Sequence, residues 1–315
     1  MNILLSTDNN YAMPTGVLMT SIGENNSCEI NYYVLINEEF SDENKESLMR
    51  VASKYNNSIS FYTITPDDTK DFPVKKDYQP SHITIAAYYR LFVADILPND
   101  VKKVLYLDCD IIVRHSIEAL WNEDIEDYAI GVVRDCDEYS ESKDNRLPYP
   151  MKEGYFNSGV LLINLDYWRK NKCYDLFEEF ARTYNEKIIY HDQDVLNATL
   201  WNKKKWLRLT FNFQSSFILK PEYINKYDEQ VMDEINATKY DPTIIHYVAN
   251  TKPWNDNCIL SYRTVWRYYW KKTEWKRFGL KAVKPNNFKD CIRYFLMRHD
   301  LFFPEKRYEK IILRK

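Results

Sequence analysis

The apolar positions of this chain fall into short runs separated by longer amphipathic stretches. Residues 3–6 are a brief apolar run near the start, and residues 30–36 (INYYVLI) are rich in β-branched and aromatic side chains. Such side chains suit a pleated, half-buried backbone. Residues 59–64, 104–107, 130–133 and 160–163 repeat the pattern and predict further strands. Between them, Ser41 reads as an N-cap, with Asp42 and Glu43 placed to complement the helix dipole of a segment running to about residue 55. Residues 86–96 read as a helix stopped near Pro98, and helices follow over about 174–184 and 192–200. Strands alternating with helices predict an α/β fold with a mostly parallel central sheet flanked by helices. Ligands of such sheets bind beyond the carboxyl ends of the strands, so polar residues directly after a strand carry the most information.

Composition narrows the picture. The chain has 315 residues, 45% of them hydrophobic and 28% charged, which suits a globular protein with a substantial core. No stretch approaches the roughly 20 apolar residues of a membrane-spanning helix. Residues 1–6 lack the basic start and long apolar region of an export signal. The six cysteines (Cys28, Cys109, Cys136, Cys173, Cys258 and Cys291) are scattered, with no close pair of the kind that holds zinc. They are read as reduced thiols of a cytoplasmic protein. There are only six glycines, and neither G-x-G-x-x-G nor a Walker A sequence occurs. A glycine loop that cradles phosphate is therefore excluded. If a nucleotide binds here, a metal and cationic side chains must neutralise its phosphates.

Charge is unevenly spread. Residues 262–315 hold sixteen Lys or Arg against five Asp or Glu, a local balance of +11, and thirteen aromatics. The preceding 261 residues carry 27 basic and 41 acidic side chains. We therefore expect a main domain over 1–260 and a basic, aromatic-rich helical appendage over 261–315. Within the appendage, residues 262–272 mix aromatics and cations at helical spacing. Asn287 is placed to cap a further helix, with Phe288, Ile292, Phe295 and Leu296 on one side and Lys289, Arg293 and Arg298 available to lipid phosphates. That combination fits docking on an anionic membrane surface, on the inner face of the plasma membrane. Packing of these aromatics back onto the main domain is the alternative. A nucleic-acid role is disfavoured, because the acidic main body would repel a phosphate backbone.

Candidate chemistry centres on Asp108 and Asp110. The apolar run at 104–107 ends in two carboxylates spaced i, i+2, which puts both on one face, where hard oxygens can grip Mg²⁺ or Mn²⁺. D-x-D also occurs at 135–137 and 192–194, but only the first directly follows a long apolar strand. Two solvated turn aspartates would give the same local pattern. Residues 243–247 read as a short strand carrying His246, either a satisfied, partly buried histidine or the third member of a two-Asp, one-His set. Such a mixed oxygen and nitrogen set suits Mn²⁺ better than Ca²⁺. Lys252, six residues later, could neutralise a phosphate of the same ligand or be a surface lysine beside Pro253. Residues 156–164 join a polar turn to a buried strand, where Asn157 and Ser158 could bind sugar hydroxyls or simply mark the strand entry. Asp192, Gln193 and Asp194 open a helix, and one of the two aspartates is expected to cap it.

Taken together, residues 7–11 (TDNNY), 88–91 (YYRL), 104–110, 155–164, 192–197 and 246–254 resemble, in order, the pattern of glycosyltransferase family 8. That family includes bacterial lipo-oligosaccharide α-galactosyltransferases, bacterial glucosyltransferases and, more distantly, glycogenin. The resemblance implies a GT-A (Rossmann-like) fold and a retaining transferase. It would take a hexose from a UDP-sugar donor to a glycan or glycolipid acceptor, with Mn²⁺, or Mg²⁺ in its place, as cofactor. It implies uracil and ribose contacts at Asp8, Asn10 and Tyr11, a donor-side cation at Arg90, and metal ligands at Asp108, Asp110 and His246. It implies donor-sugar contacts at Asn157, Asp192 and Gln193, with Gln193 beneath the anomeric carbon, and a diphosphate clamp at Lys252. One departure is Ala249, which stands where the family pattern H-Y-x-G-x-x-K-P-W has glycine. A metal-dependent nucleotide-sugar hydrolase is the alternative, distinguished by UDP release that ignores any acceptor.

Overall fold

The computed structural model describes residues 1–70, 72, 85–140, 146–219, 226–248, 251–299 and 301. Among them, ten strands form two sheets: β1 Asn2–Ser6, β2 Asn31–Asn37, β3 Ser58–Ile64, β4 Lys103–Leu107, β5 Ile111–Val113, β6 Ile130–Arg134, β7 Phe156–Asn164, β8 Lys204–Trp206, β9 Phe213–Gln214 and β10 Ile244–His246. The large sheet has the order β3-β2-β1-β4-β7-β6-β8. Its pairs are parallel except that β7 runs antiparallel to both β4 and β6. The sheet is thus mostly parallel, as expected, with one reversed strand.

Both faces of this sheet are covered, and the alternation of side chains divides the core accordingly. Leu105 and Leu107 of β4 join one hydrophobic cluster, and Val104 and Tyr106 join the other. Val160 and Leu162 of β7 face the first cluster, and Leu161 and Ile163 the second. The small sheet has the order β5-β10-β9. Only residues 108–110 separate β4 from β5, so the first D-x-D is the hinge between the two sheets. His246 pairs opposite Ile111, the residue after that hinge.

Ser41 caps the helix Asp42–Lys54 as its sequence predicts, its Oγ accepting from the Asn44 backbone N–H at 3.3 Å. The helices expected near 174–184 and 192–200 occur as Cys173–Thr183 and His191–Leu200. Residues 86–96 differ from expectation: a 3-10 helix spans Ile85–Phe92 and only Val93–Ile96 is α-helical. Tertiary contacts override propensity there, because Arg90 is drawn inward onto the Ser158 carbonyl and Asp108. An unforeseen helix, α1, spans Ala12–Asn25. Its Gly16 lets the indole of Trp275 approach so closely that a Cβ would lie 2.2 Å from the ring.

That contact ties the basic segment to the body. Past residue 260, the helix Arg263–Trp270 buries Val265, Trp266, Tyr269 and Trp270 in the same cluster as Val17, Leu18 and Ile22 of α1. The helix Phe288–Arg298 follows as an appendage, with Asn287 as its cap, Oδ1 accepting from the Asp290 N–H at 2.9 Å.

Candidate active site

β4 delivers Asp108 and Asp110 to the junction of the two sheets, and β10 delivers His246 to the same point. One donor atom from each lies within 4.8 Å of the others. His246 Nε2 is 3.1 Å from Asp110 Oδ1 and 3.7 Å from Asp108 Oδ2. Cys109, between the aspartates, turns the other way, its Sγ against the Ser6 carbonyl at 3.0 Å. This inward anchor holds both carboxylates on one side. β7 forms the floor, where the Asp108 N–H donates to the Gly159 carbonyl at 2.8 Å. A Cβ on Gly159 would lie 2.2 Å from His246 Cε1 and 2.8 Å from Asp108 Oδ2, so only glycine fits beneath the cluster.

Cations balance these carboxylates. Lys252 Nζ donates to Asp110 Oδ2 at 2.7 Å, and Arg90 Nη2 donates to Asp108 Oδ1 at 2.9 Å. Burial pushes the Asp110 carboxyl up, but Lys252 and His246 more than offset it and hold its pKa well below the usual range. Tyr106 adds a hydroxyl donor to Asp108 Oδ1 at 2.6 Å. Arg90 also reaches the Ser158 carbonyl at 2.6 Å and lies 3.3 Å from Asp192 Oδ2. It is buried and bridges the D-x-D to the helix His191–Leu200. Burial raises the Asp192 carboxyl, with Arg90 opposing and Asp108 reinforcing the shift, to a pKa of about 6.

Next to these ions lies a set of amides. Gln193 Nε2 donates to Asp135 Oδ2 at 3.0 Å, and its Oε1 accepts from the Ser158 N–H at 2.9 Å and from Asn157 Nδ2 at 3.3 Å. Asn157 Nδ2 also donates to Asp135 Oδ2 at 3.2 Å, and Asn212 Nδ2 donates to Asn157 Oδ1 at 2.9 Å. After β1, Asp8 Oδ1 accepts from the N–H groups of Asn10 at 2.8 Å and Tyr11 at 3.1 Å, opening α1. Tyr11 meets Trp254 edge-on at 5.7 Å, joining this segment to the one that carries Lys252. Burial, then the charge of Asp110, raises the Tyr11 hydroxyl pKa, which places that hydroxyl within the field of the carboxylates.

Asp108, Asp110, His246, Lys252, Arg90, Asn157, Asp192 and Gln193 thus converge, with Tyr11 alongside. Asn10 is exposed at the edge, and Ala249 lies outside the described residues. Of the two helix-opening aspartates, Asp194 is the structural one. It accepts from the N–H groups of Ile189 and Tyr190, from the Tyr155 hydroxyl and from both terminal nitrogens of Arg146. Sequence reasoning did not single out Tyr106, Asp135 or Asn212. Asp135 belongs to the second D-x-D, so the repeated motif was its signal, whereas Asn212 carries none.

Comparison with known proteins identifies the family. The profile of the family described as Glycosyl transferase family 8 matches residues 2–258. The chain belongs to glycosyltransferase family 8. It is similar to general stress protein A of Bacillus subtilis, at 30% identity over 298 residues, covering 90% of this chain and 97% of that one. It is 29% identical over 299 residues to a lipopolysaccharide 1,2-glucosyltransferase of Escherichia coli, covering 94% of this chain and 85% of that one. Among solved structures, the galactosyltransferase LgtC in complex with donor and acceptor sugar analogs superposes with a TM-score of 0.77 at 27% identity, covering 88% of this chain and 99% of that one. This family-8 chain is therefore a glycosyltransferase with the GT-A fold, and its two aspartates and histidine form a candidate divalent-metal site.

Proposed function

We propose that this family-8 glycosyltransferase moves a hexose, glucose or galactose, from a UDP-sugar to a glycan or glycolipid acceptor in the synthesis of cell-surface polysaccharide or lipo-oligosaccharide, with retention at the anomeric carbon. The observation that carries this reading is the convergence of Asp108, Asp110 and His246, within 4.8 Å, with Lys252 on Asp110 and with Gln193 joined to His246 through Asn157 and Asn212. That one relative is a glucosyltransferase and another a galactosyltransferase supports the choice of a hexose.

Asp108, Asp110 and His246 would hold the metal, Mn²⁺ by ligand type, and the bound ion would neutralise the diphosphate as it departs. Lys252 supplies a second positive charge to that leaving group. Asp8, Asn10 and Tyr11 take the uracil and ribose. Asn157 and Asp192 bind hydroxyls of the donor sugar. Gln193 lies beneath the anomeric carbon with its Oε1 already accepting two hydrogen bonds. An amide oxygen engaged in this way is a poor nucleophile, which favours departure and attack on the same face over a covalent intermediate. Arg90 acts from behind, fixing Asp108 and Asp192 relative to each other.

We assign residues 1–260 to the catalytic unit and 261–315 to an appendage rooted in it by Trp266 and Trp275. The helix Phe288–Arg298 exposes Phe288, Ile292 and Phe295 beside Lys289 and Arg293, which supports peripheral docking on anionic lipid. Changing those three apolar residues to serine should reduce co-sedimentation with phosphatidylserine vesicles about tenfold, at an apolar loss of roughly 25 cal/mol per Å². Equal sedimentation of variant and wild type would remove the membrane reading.

The transfer reading is tested by UDP release from UDP-glucose and UDP-galactose, with and without Mn²⁺ and with and without a lipo-oligosaccharide acceptor. Release that requires the metal and is accelerated by acceptor is expected. Turnover undiminished by excess chelator would refute the metal role, and release indifferent to acceptor would favour hydrolysis.

A further inference from the structure

Two backbone N–H groups fix the orientation of three side-chain amides, and the chain of consequence ends at the candidate metal site. The Gly159 N–H donates to Asn157 Oδ1 at 2.9 Å, which settles which end of that amide is oxygen. The Ser158 N–H does the same for Gln193 Oε1 at 2.9 Å. Because Asn157 Oδ1 can only accept, the Asn212 atom 2.9 Å away must be the amide nitrogen. Asn212 Oδ1 then faces His246 Nδ1 at 3.0 Å. An amide oxygen has no proton to give, so Nδ1 must carry one. Nε2, the nitrogen turned toward Asp108 and Asp110, is left as the one that can give its lone pair to a cation.

Asn212 is held in place for this. It is wholly buried and ends the 3-10 turn Leu209–Asn212, directly before β9. β9 pairs with β10 in parallel, with Gln214 beside His246, and the Ser215 N–H donates to the His246 carbonyl at 2.8 Å. Asn212 thus meets the imidazole from the side opposite the carboxylates.

We propose that Asn212 is a positioning residue that locks His246 in its Nδ1–H form with Nε2 aimed at the metal. Its other contact, the Nδ2–H donated to Asn157 Oδ1, ties His246 to the donor-sugar amides that the β7 backbone orients. The inference rests on the metal reading above. Partners that orient a ligating histidine typically change metal affinity about 10–100-fold when removed.

The two halves of the role separate by substitution. Asn212→Ala removes both contacts. Asn212→Asp keeps an acceptor for His246 Nδ1–H but cannot donate to Asn157 Oδ1. Mn²⁺ binding in the presence of UDP is measured by calorimetry, with kcat measured alongside. Asn212→Ala should bind Mn²⁺ about 10–100-fold more weakly. Asn212→Asp should keep near wild-type Mn²⁺ affinity while kcat falls, a split that loss of packing alone would not produce. A folded Asn212→Ala chain that binds Mn²⁺ as tightly as wild type would overturn the proposal. A wild-type chain that takes up no Mn²⁺ would remove the metal reading and this proposal with it. Should Asn212→Ala fail to fold, ¹⁵N NMR of the wild-type histidine rings with Mg²⁺ and UDP decides the matter. His246 should show a proton on Nδ1 and none on Nε2, and the reverse would end the idea.

Discussion

On the side of β4 and β10 the candidate site is built from ions. Asp108 faces Arg90, and Asp110 faces Lys252 and His246. Next to them, along β7 and the helix His191–Leu200, the groups are mostly amides: Asn157, Gln193 and Asn212, with Asp135 receiving two of their N–H groups. The ionic side is a balance of charges. Removing one member of a buried pair leaves its partner uncompensated, which commonly costs about 3–5 kcal/mol. A cation entering between Asp108, Asp110 and His246 would share those carboxylates with Lys252 and Arg90. The amide side has little charge to exchange. Its orientation is dictated by the β7 backbone, through the Ser158 and Gly159 N–H groups. On the proposed reading, one region would respond to metal and diphosphate while the other stayed fixed around the sugar, which is the preorganisation that electrostatic catalysis requires.

The strongest test of this contrast is on the ionic side. Asp108→Asn keeps the shape but removes a hard anionic ligand and the partner of Arg90. Mn²⁺-dependent UDP release should fall about 10³-fold, the scale on which loss of one preorganised electrostatic group lowers kcat. A drop of less than tenfold would mean that Asp110 and His246 suffice, and the ionic side would no longer be the metal side.

The amide side should fail differently. Gln193→Ala leaves the carboxylates, His246 and Lys252 untouched. Mn²⁺ affinity should stay unchanged while kcat falls about 10²-fold through lost positioning at the anomeric carbon. Loss of metal affinity in this variant would show that the two regions are one unit and not two.

The two regions were also unequally legible in the sequence. Asp108, Asp110 and His246 each end or directly follow an apolar run, so strand periodicity brought them into view. Asn212 lies in a 3-10 turn with no repeating pattern, and its role exists only through the pairing of β9 with β10. The inward turn of Arg90 was hidden for a similar reason, because a lone arginine reads the same facing solvent or core. In the fold, β1, β2 and β4 were plain from their apolar runs, but α1 was not. Ala12, Val17, Leu18, Met19 and Ile22 are all buried together with Pro14 and Gly16. A helix buried on most sides has no amphipathic period, and its proline and glycines read as breakers. The reversal of β7 left no mark either, since an apolar strand has the same composition in both directions.

The smallest expected effect lies where the two regions meet, at Asp192, and it is read in stability. Its carboxyl is buried, and burial raises its folded pKa to about 6, above the ordinary carboxylate value of 3.8. The folded chain therefore binds this proton more tightly than the unfolded chain does. The stabilisation from that proton is fully present below about pH 4 and is lost as pH rises through about 6. A pKa displaced by about two pH units corresponds to roughly 2–3 kcal/mol at full ionisation. In the Asp192→Asn chain the neutral amide carries no such burden, and Arg90 keeps Asp108 as its partner. The substitution should thus raise unfolding free energy relative to wild type by roughly 2 kcal/mol at pH 8 and by far less at pH 4.5. Urea denaturation of both chains at the two pH values, with chelator present, measures the double difference. Other titrating groups cancel in it to the extent that they are independent of Asp192. The same variant should lose transferase activity, because a buried carboxylate held at an energetic cost is the kind of group that function retains against stability. An equal stability difference at both pH values would place Asp192 with the neutral amides and move the boundary between the two regions to the far side of Arg90.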